Sequence, residues 1–377
     1  MLIIDRYLLR QFLWILVIFA TSFIGLYVVA DSVNNFEELA DHAKDHGGMF
    51  RVLAEYYGYR SLSFFDEISA LLILVAAMFT VSAFRRHQEL TALLAAGISK
   101  ARVVRPIVIA AVLLSLLAVL NRELVIPSIK DELSYNAQDL SAGKSRELRP
   151  RYDNETDILL GGAGVQMRTR VIDRPSFFLP PQLDHYGRQL IAEKAVYLSP
   201  TADRPGGYLL SGVKQPARLA EKASLYRDGR AVILSPRDAD WLEDNQCFVA
   251  SGVDFEQLTG GKNWRQFSST RQLIAGLQNP SLSYGANVQV EIHSRFVRPF
   301  LDMTLLFLGL PLVLARENRN MFVAVGFCIL LVVLFTIVVM VCEYLGANRA
   351  LSPALAAWCP LMIFIPVAVA LSGPLRE

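Results

Sequence analysis

Six long apolar stretches constrain this chain more than any other feature. A helix needs about 20 mostly apolar residues, within a range of about 17–25, to cross the hydrocarbon core of a bilayer. Residues 12–30 carry no charge and meet that length, and residues 68–84 just reach it. Residues 106–121 are shorter, but Val103 and Val104 extend them and Arg105 can snorkel to the interface. Residues 299–315 qualify apart from Asp302, while residues 321–342 and 350–374 are uncharged. The chain is 53% apolar and 19% charged, against about 45–50% and about 25% for soluble domains. The apolar excess sits in those six blocks. They predict a helical membrane protein with three spans before, and three after, one large polar insertion.

The first block is too long for the apolar core of a cleaved signal, which is about 7–15 residues, and no clear small-x-small site follows it. It is expected to be a retained anchor. Orientation follows from the Lys/Arg bias of short loops. Residues 85–105 carry Arg85, Arg86, Lys100, Arg102 and Arg105 against Glu89 alone. Residues 31–60 carry Lys44, Arg51 and Arg60 against six acids. Residues 316–320 add Arg316 and Arg319 to the side of the first basic loop. Both termini are expected in the cytoplasm and the large insertion outside. A net charge of +2 gives no global field pointing to nucleic acid.

The insertion reads as β. Val165, Met167, Thr169 and Val171 alternate with Gln166, Arg168 and Arg170, the period of a half-buried strand. Cys247, Val249, Val253 and Phe255 repeat the pattern, and residues 231–234 are a short apolar run. Turn signals are frequent: Gly161-Gly162, Pro180-Pro181, Arg204-Pro205-Gly206-Gly207, Asp228-Gly229 and Gly260-Gly261. Many short strands predict a sandwich or a jelly roll, which periodicity does not separate. Residues 121–141 are expected to lead in as a helix and residues 269–276 to lead out as another. The domain is either a scaffold or an open β-groove for an apolar ligand, and scaffold is the default. The expected division is 1–124, three spans with a cytoplasmic helix; 125–290, the β domain; and 291–377, three further spans.

The loop from Arg85 to Lys100 carries the most specific signal. Glu89 to Ala96 are mostly good helix formers. Leu90, Leu93, Leu94 and Ile98 share one face. Gly97 is placed to end the helix and Ser99 to cap the next. Such a helix is either a passive interfacial connector or a knob that docks into a partner's groove. Glu89, a lone acid among basic residues, suits a partner's Arg or Lys better than an anionic lipid surface.

No catalytic constellation is present: neither HExxH nor GxSxG occurs. Gly143-Lys144-Ser145 resembles the end of a phosphate loop, but Gln138 stands where that motif needs Gly. Any ATP hydrolysis must come from another chain. Four cysteines, with no CxxC or Cys/His spacing, give neither a disulfide framework nor a metal site. Asp302 lies near the outer end of its span and is expected to snorkel toward headgroups rather than carry protons.

Several motifs together resemble one family. They are the opening Leu2-Ile3-Ile4-Asp5-Arg6-Tyr7-Leu8-Leu9-Arg10, the run from Glu89 to Ser99 with Arg105-Pro106, the re-entry from Glu291 to Pro299, and Leu308-Gly309-Leu310-Pro311-Leu312. With the three-plus-three layout, the whole chain resembles the LptF/LptG (YjgP/YjgQ) permeases of the lipopolysaccharide-export ABC transporter, leaning slightly to the LptG-like member. The resemblance implies a bacterial inner-membrane subunit with a periplasmic β-jelly roll. Its implied partners are a cytoplasmic ABC ATPase dimer that uses ATP and Mg, a paralogous six-span permease, lipopolysaccharide, and jelly-roll bridge proteins of the LptC/LptA type. No cofactor is expected on this chain itself. Arg85, Arg86, Glu89, Leu90, Leu93, Ala96 and Gly97 would belong to the ATPase-coupling helix. Phe23, Tyr27, Asp31, Phe327 and Phe335 are the candidates for the lipid cavity, with the first and fifth spans as lateral gates. Some members place a lysine near the outer end of the first span. This chain has Asp31 there, followed by Asn34, Asn35, Glu37 and Glu38, a departure that bears on which headgroup is bound. Two other readings compete: an ABC-linked mechanotransmission protein that moves no lipid, and a membrane enzyme using Asp66 and Glu67.

Overall fold

The computed structural model describes residues 3–45, 48–135, 145–167, 169–201, 204–227, 229–314 and 321–373. Outside them lie Arg316 and Arg319 of the short basic loop, Gly143 and Lys144, Arg168, Asp228, and residues 136–141 of the expected lead-in helix. The chain divides into two compact units. A helical unit comprises Met1–Asn34, Glu55–Ile129 and Gly285–Glu377; a mostly β unit comprises Asn35–Ala54 and Lys130–Tyr284.

In chain order the helices begin with α1 (Ile3–Asn34), α2 (Phe36–Asp45), α3 (Met49–Arg86), α4 (Glu89–Ala95) and α5 (Lys100–Leu120). A π-helical turn, Asn121–Val125, continues α5 into α6 (Ile126–Ser128), and α7 (Lys130–Ser134) follows. After the strands come α8 (Phe255–Thr259), α9 (Gly261–Phe267), α10 (Thr270–Leu277), α11 (Ala286–Leu314), α12 (Met321–Ala347) and α13 (Pro353–Leu371). Among the described residues five helices are long and apolar enough to cross a membrane: Ile3–Asn34, Met49–Arg86, Lys100–Ser128, Gly326–Ala347 and Pro353–Leu371. The expected fourth span lies in α11, whose 29 residues reach about 44 Å but include Arg295, Arg298 and Asp302. The second span is longer than expected, because α3 runs for 38 residues. Its first turns hold no proline to break the helix, so much of the expected loop 31–60 is helical.

The helical core runs from Leu8, Phe12 and Leu16 of α1 through Leu72, Ala76, Ala77 and Val81 of α3 to Ile107 and Ala111 of α5. It continues through Val297, Leu306 and Leu310 of α11 to Leu361 and Phe364 of α13. Small residues in α3 and α5 let the helices approach closely, as membrane packing requires.

The β unit is one curled antiparallel sheet, consistent with a β-jelly roll. Its strands are β1 (Arg151–Asp153), β2 (Ile158–Leu160), β3 (Gly162–Gln166), β4 (Val171–Phe178), β5 (Gln189–Ile191), β6 (Lys194–Leu198), β7 (Gly207–Ser211), β8 (Leu225–Arg227), β9 (Arg230–Leu234) and β10 (Gln246–Ala250). The order is β1-β2-β4-β6-β7-β10-β9-β8, with β3 and β5 also pairing β4. The long β4 makes the curl: Ile172 pairs with Ala195 of β6, while Phe177 pairs with Leu190 of β5. Ile158, Leu160, Phe177, Leu190, Tyr208, Leu210, Ile233 and Val249 fill the interior as one core.

Two expected strands are corrected. Val165 and Gln166 end β3 and Val171 begins β4, with Gln166 opposite Val171 in an antiparallel pair and Arg170 at a φ of 54°. The apolar alternation ran on through the turn and concealed it. The strand from Cys247 ends at Ala250; Val253 lies beyond it and Phe255 begins α8, where Asp254 and Gln257 form a capping box. The expected lead-out helix is present as α10, begun by a second box between Ser269 and Gln272.

Candidate functional site

The loop between α3 and α5 folds as its pattern predicts. Gln88 reverses the chain at a φ of 57°, α4 follows, and Gly97 ends it at a φ of +80°. A Cβ at Gly97 would meet nothing within 4 Å, so the requirement for glycine there is conformational. Leu90 is buried, and Leu93, Leu94 and Ile98 pack on the same core. These side chains therefore seat α4 on its own helical unit. The surface left exposed is Arg86, His87, Gln88, Thr91, Ala92, Ala95, Ala96 and Gly97, with Glu89 half-buried at its edge. Arg85 is committed elsewhere: its guanidinium donates to the Val313 carbonyl in the last turn of α11, where a cation complements the helix dipole. Ser99 stands before α5, but its hydroxyl makes no capping bond; its carbonyl accepts from Arg102 and Val103 instead.

The lipid candidates fall on two helices. On α1, Phe23 lies half-buried with its ring 6.3 Å from Phe19. Tyr27 stacks on Phe64 of α3 at 4.5 Å and meets the edge of Tyr57 at 6.1 Å. The Tyr57 hydroxyl donates to Asp31 at 2.8 Å. Tyr27 and Asp31 are thus gathered around one residue of α3. On α12, Phe327 is exposed, whereas Phe335 is buried with its ring 4.7 Å from Phe364 of α13.

A third group of residues was not foreseen. Near the end of α5 that leads to the β unit, Arg122 donates through Nε to Asp66 of α3 at 3.0 Å and again through its second nitrogen. Arg298 of α11 donates to the Asp66 carbonyl at 2.9 Å and lies 3.9 Å from its carboxylate. Asn121 donates to the Leu62 carbonyl at 2.9 Å. Arg295 reaches Glu291 at 3.3 Å on its own helix and Glu123 at 3.7 Å on the π-helical turn. Asp302 is buried and accepts from Ser115 of α5 at 3.1 Å, so its expected snorkelling is overturned. The carboxylate turns inward because a polar pocket lined by Asp66, Ser115, Arg122, Arg295 and Arg298 receives it. Asp66 and Glu67 do not form an acid pair, since Asp66 serves the arginines and Glu67 is exposed. The available signal was positional: Asp66, Arg122 and Arg298 each stand at the same end of an apolar block.

In the β unit, Cys247 is buried and burial pushes its thiol up to about 12, so it is no nucleophile at neutral pH. Among the described residues no three His, Cys, Asp or Glu side chains gather to hold a metal ion.

The sequence model of the family described as "Lipopolysaccharide export system permease LptF/LptG" matches residues 6–151 and 253–373. The match covers the spans, the α4 loop and the re-entry through α11, and it passes over most of the strands. It covers both paralogues together and selects neither. A search of curated proteins returned no match.

Proposed function

Because the chain belongs to the lipopolysaccharide export permease family LptF/LptG, we propose that it is the transport subunit of an ABC exporter that lifts a lipopolysaccharide-type lipid from the outer leaflet of the bacterial inner membrane. The observation that carries this reading is the uneven cover of its helices. In their most apolar stretches α1 is 11% and α12 is 17% buried, against 56% for α3. Exposed Trp14, Ile18, Leu26 and Val29 on α1, and Phe327, Leu330, Leu334 and Ile337 on α12, leave broad apolar faces. Such faces suit acyl chains and a paralogous six-span partner, with α1 and α12 as the gates.

The rest of the reading follows from charge and chemistry. The Lys/Arg bias supports an orientation with α4 and both termini in the cytoplasm and the β unit in the periplasm. The small side chains at Thr91, Ala92, Ala95 and Ala96 let a groove on an ATPase dimer approach α4 closely, with Glu89 at its rim. ATP and Mg are used on that partner, not on this chain. Lifting a multi-acyl lipid costs about 0.8 kcal/mol for each CH₂ exposed, which ATP-driven closing of the cavity would offset. The lipid would then pass to the jelly roll and on to bridge proteins of the LptC/LptA type. A mechanotransmission role is the second reading, and the filled interior of the curled sheet favours it.

A photo-reactive residue at Phe23 or Phe327, in proteoliposomes holding the whole complex, distinguishes the two. Transport predicts lipopolysaccharide adducts at both positions that decline when ATP is added. No adduct at either position, with ATP hydrolysis intact, leaves the transmitter.

A further inference from the structure

Every buried charged residue described in the helical unit stands in one place. Asp66, Arg295 and Asp302 lie together with buried Ser115 and Asn121 beside them. Charges taken out of water are costly to hold, and apolar packing would join three helices at lower cost. The wiring singles out the π-helical turn. Such turns interrupt the regular hydrogen-bond ladder and often mark functional positions. Three of its five residues are tied to neighbouring helices: Asn121 and Arg122 to α3, and Glu123 to α11. The soft point of α5 is thereby clamped.

α3 and α11 are also pinned to each other twice. At the α4 end Arg85 holds the Val313 carbonyl; at the far end Arg298 holds the carbonyl and carboxylate of Asp66. These pins are about 28 Å apart along α3. Between them α11 passes so close that a Cβ at Gly309 would collide with the Leu74 side chain. The α5 end leads out to the β unit at Lys130, and α11 begins where the chain returns at Gly285.

We propose that Asp66, Arg122 and Arg298 are positioning residues that clasp α3, α5 and α11 into one lever, so that a displacement applied at α4 reaches both points where the chain leaves and re-enters the helical unit. Without the clasp the π-helical turn absorbs the motion. The proposal rests on the reading of the chain as an ATP-driven permease, and two measurements separate the fates of the two ideas.

The first uses the complete complex in proteoliposomes, comparing wild type with Asp66→Asn/Arg122→Gln, a pair that removes the buried acid together with the arginine that holds it. Lipid released per ATP hydrolysed is expected to fall roughly tenfold, a usual size for coupling between sites, while ATP hydrolysis stays within about twofold. Wild-type release per ATP in a folded double variant overturns the clasp. If the double variant does not fold, Arg298→Lys, which keeps the charge but loses the planar fork, is read in the same way. The second places spin labels at Leu62 and Phe296 of the full chain, with the native cysteines replaced. The variant is expected to broaden a single narrow distance distribution; an unchanged distribution overturns the proposal even if wild type shows no ATP-driven release, which would itself sink the permease reading.

Discussion

The Tyr57 hydroxyl of α3 donates to the Asp31 carboxylate of α1 at 2.8 Å. Asp31 is therefore engaged by its own chain. Hydrogen bonds to charged groups contribute about 1.5–3 kcal/mol, so Tyr57→Phe should destabilise the protein by that order. Thermal melts in detergent measure it. A melt identical to wild type would show that the bond holds nothing.

The α4 surface predicts a separation of effects. Glu89→Ala should weaken recovery of the ATPase roughly tenfold, equivalent to about 1.4 kcal/mol, with membrane insertion unchanged. Gly97→Ala should act through strain of about 1–2 kcal/mol at its left-handed backbone. Leu90→Ala should instead lower the melting temperature, because Leu90 faces the protein's own core. Quantitative pull-down alongside melting tests all three. Unchanged ATPase recovery with Glu89→Ala counts against the coupling role.

Ser115 is the hydrogen-bond donor to buried Asp302. Ser115→Ala leaves that carboxyl without its partner and should cost about 1–3 kcal/mol. Asp302→Asn, which can still accept the bond, should cost less than Ser115→Ala. The opposite ranking in parallel melts would reject the inward placement.

The β unit carries a pH-sensitive pair. Arg227 and the Tyr152 hydroxyl hold the Asp157 carboxyl below its usual range, and Arg227 reaches it at 2.6 Å. A depressed carboxyl stabilises the folded state above its unfolded pKa of about 3.9 and loses that stabilisation as pH falls through the lower folded value. Asp157→Asn should therefore lower the neutral plateau of a plot of melting temperature against pH slightly and flatten its acid limb by the same amount, the acid end staying where it was. Superimposable acid limbs would contradict the pairing. The pair is largely solvated, so the effect is modest.

Much of this was legible in sequence because it depends on local rules. The apolar blocks, the α4 helix ended by Gly97 and the lead-out helix over residues 269–276 each follow from composition or spacing within a few residues. What escaped depends on residues far apart in the chain. Asp302 was expected to reach for headgroups because nothing nearby in sequence offers a partner; Ser115 comes from another helix. Leu90 and Leu93 mark an amphipathic helix, but a pattern cannot tell whether the apolar face meets a partner or the chain itself. The hairpin at Gln166 and Val171 was hidden because alternation is indifferent to a turn that keeps register.

The central claim is that this chain moves lipid as part of an ATP-driven complex. A mild-detergent pull-down of the tagged chain, with mass spectrometry of both proteins and lipids, tests it most directly. The account predicts an ABC ATPase, a second six-span permease and a phosphorylated multi-acyl glycolipid in one complex. Recovery of the ATPase with no glycolipid would contradict it and leave a transmitter in its place.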